Sequence, residues 1–116
     1  MELPPTTTAL GRLRLVDVWD YYDGPRLFVA QNAAGAFYIA LWADEDDTTN
    51  TWLYVAVSED RLERVQTGQI SLRAAYLDPE DGKVFEMIVP KGSGDIALAL
   101  VDIAQIAADL LRALQQ

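Results

Sequence analysis

The hydrophobic pattern of this chain changes character at Ser58. Before it, four runs rich in Val, Leu, Trp and Tyr cover residues 12–22, 27–31, 36–43 and 51–57. β-Branched and aromatic composition of this kind favours strands. Turn residues separate the runs: Asp23-Gly24-Pro25, Asn32-Ala33-Ala34-Gly35 and the acidic stretch from Asp44 to Asn50. Gly and Asn tolerate positive φ and Pro cannot continue a ladder, so the chain is expected to reverse at each. Beyond Ser58 the spacing becomes helical. Ser58 reads as an N-cap, Glu59 and Asp60 follow where the helix dipole favours negative charge, and Gly68 suits the position after the last turn. A helix is expected over 59–67. Ser71 caps a further helical turn over 72–76, residues 79–82 turn, and residues 83–89 form a fifth strand.

The last segment has its own period. Asp95 is placed as a cap, and Ile96, Leu100, Ile103, Ala107, Leu110 and Leu114 follow at intervals of 4, 3, 4, 3 and 4. Such a seam predicts a long helix over 95–115. Residues 1–9, with two prolines and three threonines, read as a loose arm. The expected fold is therefore one α+β domain. A largely antiparallel sheet of about five strands, joined by hairpin-length connections, carries short helices and packs against the long C-terminal helix. The heptad-like seam also suits a homodimer through Ile96, Leu100, Ile103, Leu110 and Leu114.

Alternation within the strands predicts what faces what. Phe37, Ile39 and Leu41 share a face with Leu53, Val55 and Val57; Tyr38, Ala40 and Trp42 share the other with Trp52, Tyr54 and Ala56. Both faces are apolar, one aliphatic and one aromatic. Trp19, Tyr21 and Phe28 are expected to join the aromatic side. It is either covered as core, or it leaves Trp19, Tyr38, Trp42, Trp52 and Tyr54 lining a groove for a ligand or partner.

Composition narrows the chemistry. The 116 residues include no His and no Cys, which excludes Ser-His-Asp and thiol catalysis and the usual zinc sites. No cofactor is expected. No apolar run reaches the roughly 18 residues of a membrane-spanning helix, no leader-type segment opens the chain, and a cytoplasmic location is expected. Net charge is −9. Residues 41–60 carry six acids and no base, so nucleic acid and anionic membrane are disfavoured and a basic protein partner or a cation is favoured.

Asp44, Glu45, Asp46 and Asp47 form the densest polar cluster. Asp44, Asp46 and Asp47 are candidate ligands of a hard cation, with Asn50 as a further oxygen donor. The spacing departs from a calcium-binding loop, because the sixth position from Asp44 is Thr49 and the twelfth is Val55. A solvated hairpin tip is the competing reading. Asp20-Tyr21-Tyr22-Asp23 could support acid–base work, and Gly92-Ser93-Gly94 resembles a weak anion nest. Both read more simply as turn and loop.

DYYDGPRLF at 20–28, N-x-x-G at 32–35, FYIALWAD at 37–44, WLYVAVS at 52–58 and GQISLRAAY at 68–76 together resemble an uncharacterised family of small bacterial, chiefly cyanobacterial, proteins carried as a domain of unknown function. The resemblance covers about residues 10–90 and implies no activity, cofactor or catalytic residue. From the residues themselves, a small acidic protein-interaction or regulatory domain without catalysis is expected. The alternatives are a small-ligand binder with an aromatic cleft and a carboxylate- or Mg²⁺-dependent enzyme.

Overall fold

Among the described residues, seven antiparallel strands follow one another across a single sheet in chain order. The computed structural model describes residues 7–8, 11–21, 25–92 and 94–101. The strands are β1 (Thr7–Thr8), β2 (Gly11–Tyr21), β3 (Pro25–Asn32), β4 (Phe37–Glu45), β5 (Thr49–Val57), β6 (Val84–Pro90) and β7 (Ala97–Leu100). Two short helices, α1 (Glu59–Gln66) and α2 (Leu72–Leu77), fill the connection from β5 to β6. Thr7–Thr8, assigned to the arm from sequence, pair with Gly11 and Arg12.

The expected α+β class with a long C-terminal helix is overturned. The described chain is mainly antiparallel sheet with two short helices, and residues 97–100 are a seventh strand on β6, with Met87 opposite Leu98 and Phe85 opposite Leu100. Ile96-Ala97-Leu98-Ala99-Leu100 satisfies a period of two as well as a helical seam. The free edge of β6 decides between them by offering backbone partners, and the Val101 N–H extends the pairing to the Val84 carbonyl at 3.0 Å. The rest of the predicted helix, with Ile103, Leu110 and Leu114 of the proposed dimer seam, lies outside the described residues. Of that seam, Ile96 and Leu100 are exposed.

Each face of the sheet carries a buried cluster. On one, Val29, Ile39, Leu41, Leu53, Val55 and Val57 pack against Leu62 of α1 and Ala75 and Tyr76 of α2. On the other, Phe28, Tyr38, Ala40, Trp52, Tyr54 and Met87 pack together. Each fully buried large side chain contributes roughly 1.5–3 kcal/mol.

The helices are held by their ends. The Ser58 Oγ accepts from the Arg61 N–H and the Ser71 Oγ from the Ala74 N–H, each at 3.1 Å. Gly68, at φ +81°, closes α1 in a conformation other residues rarely adopt. Arg61 ties the two helices together by donating to the carbonyls of Ala74 and Asp78. Glu80 accepts from the Ser58 backbone and hydroxyl at 3.0 Å, joining α1 to the turn before β6. No helix among the described residues is long and apolar enough to cross a membrane.

Candidate functional site

The aromatic residues singled out from sequence divide into two sets. Trp52 and Tyr54 are fully covered, and Tyr38 is buried. Phe28 meets Trp52 and Tyr54 edge to face, with ring centroids 5.5 and 6.2 Å apart. These rings are core. Trp42 lies at the rim of the same face, half-buried. Its Nε1 donates to the Oδ1 of buried Asn50 at 3.2 Å, and the Arg26 guanidinium stacks 4.6 Å above its ring.

Trp19 does not join them. It packs with the aliphatic residues on the helix-covered face. The cause is local: Leu15 pairs with Ala30 and Asp17 with Val29, so Val16 is an extra residue in β2. Val18 then pairs with Phe28 and Asp20 with Leu27, which leaves Trp19 as a second. A β-bulge inverts the side-chain alternation beyond it and re-aims a side chain. Asp17 and Trp19 thereby come to the face that Leu13 and Leu15 turn away from.

On that face the short helices leave part of the sheet uncovered. A groove of about 590 Å³ opens there, with Trp19 and Leu27 on the sheet side and Val65, Gly68, Ile70 and Leu72 on the helical side. Asp17, Gln66 and Ser71 add polar groups at its margin. The Trp19 Nε1 donates to the Asp17 Oδ2 at 3.0 Å, which fixes the indole. A concave, mainly apolar site with a few placed polar groups is the usual form of a binding site. Leu15 and Val18, paired with Ala30 and Phe28 on the opposite face, are exposed, as is Val16. From Leu13 onward no strand among the described residues pairs with the outer edge of β2.

The acidic loop is a structured hairpin tip. One oxygen of Asp46 accepts from the backbone N–H groups of Thr48 and Thr49 at 2.8 and 2.7 Å and from both threonine hydroxyls. Lys91 pairs with Glu45 at 2.6 Å, and its backbone N–H donates to the Thr48 carbonyl. Asp44, Glu45, Asp46 and Asp47 are all exposed. Among the described residues no group of three or more acids converges as a metal site would require. Tyr22 and Asp23, named above for acid–base work, lie outside the described residues, as does Ser93 of the glycine-flanked loop.

The backbone bonds from Thr48 and Thr49, followed by the Thr49 hydroxyl, hold the Asp46 carboxyl down at about 2. A depressed folded-state value stabilises the tip above the ordinary carboxylate range, and that contribution is lost as pH falls toward about 2. Carboxyl ¹³C titration is expected to show Asp46 titrating well below the ordinary carboxylate range. Asp46→Asn is expected to abolish the low-pH transition of the Thr48 and Thr49 amides.

Sequence reasoning missed Leu27, Val65, Ile70 and Leu72 as site residues. Their signal was indirect, because helices of eight and six residues are too short to cover a sheet this wide. A family model described as a family of unknown function (DUF6575) matches residues 1–109. No curated protein and no solved structure matches the chain.

Proposed function

Since the chain belongs to the DUF6575 family, whose function is unknown, we propose from its own geometry that it is a protein-interaction module whose Trp19 groove takes a bulky apolar side chain from a short, basic segment of a partner. The supporting observation is the re-aimed indole: a bulge places Trp19 on the floor of a groove beside an unpaired sheet edge. An indole packed in the core needs no such device, as Trp52 shows.

Physical limits on the edge set the kind of partner. A long added strand needs an unbroken ladder, and extra residues at Val16 and Trp19 interrupt the register of β2. A short segment anchored by one side chain avoids that conflict. Among the described residues that line the groove Asp17 is the only ionisable one, and the whole chain carries −9, so a Lys or Arg flanking the anchor gains at both short and long range. The acidic tip adds to the long-range field.

Panning a random peptide library on the full chain tests this. Selected peptides are expected to pair an aromatic or large aliphatic residue with Lys or Arg. Trp19→Ala is expected to weaken them by about tenfold or more, as for a central aromatic contact. Asp17→Asn is expected to flatten their salt dependence. Peptides that bind Trp19→Ala as well as the parent chain would remove the groove from the reading.

A further inference from the structure

We infer that a second hollow, at the opposite end of β2, is an oxyanion site that binds a carboxylate or phosphate group through Arg12 and Arg14. The hollow, of about 520 Å³, lies between the start of β2 and the β3–β4 hairpin. Its walls are residues 12–14, 31–33 and 35, and these carry two arginines and no acid in a chain with twice as many acids as bases. The local sign is thus the reverse of the molecule's.

Arg12 and Arg14 flank buried Leu13, so both project from the same side of the strand, roughly 7 Å apart along it. Neither has an ion-pair partner among the described residues, whereas Arg61, Arg64 and Lys91 each pair with a carboxylate. Two like charges at this spacing repel, and a shared anion relieves that repulsion.

The hollow is also braced. The Arg14 Nη2 donates to the Gln31 Oε1 at 2.5 Å, and the Gln31 Nε2 donates to the Gly35 carbonyl at 3.3 Å. The amide is a strut that fixes one edge of the guanidinium and leaves its other N–H groups for a ligand. Asn32 Oδ1 accepts from the N–H groups of Ala34 and Ala36 at 3.1 and 2.9 Å, so the facing hairpin is rigid. Guanidinium groups held in place lose little freedom on binding and match the geometry of carboxylate and phosphate oxygens.

The test is an NMR titration of the full chain with sodium phosphate, and separately with sodium acetate, at constant ionic strength, reading the arginine Nε–Hε signals. Arg12 and Arg14 are expected to move together and saturate while Arg61 and Arg64 stay. Gln31→Ala is expected to weaken phosphate by about tenfold, the loss of one charge-assisted arrangement. Arg12→Gln, which leaves the Arg14–Gln31 strut intact, is expected to do the same with unchanged backbone spectra. A free anion source is supported when phosphate alone saturates the signals. An acidic side chain as the source is supported when only a Glu-containing peptide does. Uniform, non-saturating drift of all arginines in every arm overturns the site.

Discussion

Trp52→Ala is expected to destabilise the domain by about 3–5 kcal/mol, the largest loss of any of its tryptophans. Trp52 is 1% exposed and pairs in register with Trp42 on β4 and Met87 on β6. Ala30, Ala40 and Ala56 contribute to the same face, so the indole fills space that small neighbours leave open. Ladders on both sides of β5 hold the backbone apart and prevent collapse into the cavity. Urea unfolding followed by circular dichroism measures the loss. Trp19→Ala is expected to cost far less, because that ring is only partly buried; its larger effect is expected in peptide binding. If the two substitutions cost the same, the division of the tryptophans into core and site fails.

The strands and caps of this fold were readable because they depend on local chemistry. Ser58 and Ser71 cap the helices that their positions before helical spacing implied, and Phe28 shares the aromatic face as expected. Trp19 was not readable. Counting by twos from Leu13 puts it on Leu13's face, and only pairing with β3 reveals the extra residue at Val16 that inverts the count. Ile96–Leu100 failed for a different reason: five residues of alternating Ala with Ile or Leu fit two periods, and the choice rested on a free edge of β6 distant in sequence. The groove was illegible on both counts, since it needs the inverted face of Trp19 and the limited reach of α1 and α2. The acidic tip was legible as a hairpin. Its internal threonine bonds to Asp46 depend on the turn geometry itself.

Tyr76→Ala is expected to cost about 3–5 kcal/mol, with Tyr76→Phe assigning about 1–2 kcal/mol of it to one hydroxyl. The helix that carries Tyr76 has six residues, too few to be stable alone. What holds it is the Tyr76 side chain, which is fully buried and runs down to the sheet. Its hydroxyl shares one proton between the carbonyl of Ile39 at 2.9 Å and that of Leu53 at 3.0 Å, on the adjacent strands β4 and β5. Removing the oxygen unpins α2 and with it Leu72, one wall of the Trp19 groove, so Tyr76→Phe is also expected to weaken peptide binding without touching peptide. The pH dependence separates the hydroxyl from the ring. Burial, aided by Tyr54, pushes the Tyr76 phenol well above its ordinary value, and burial alone raises Tyr54. A raised folded-state value leaves this stabilisation complete below about pH 10, the unfolded value, and removes it as pH rises further. Urea midpoints for the parent chain are therefore expected to fall between about pH 10 and 11. The fall is expected to be shallower in Tyr76→Phe, where the raised phenols of Tyr54 and Tyr38 remain. An equal alkaline slope in both proteins would show that the phenol is not held neutral by the fold, and would leave the shared bond to Ile39 and Leu53 without the role given to it.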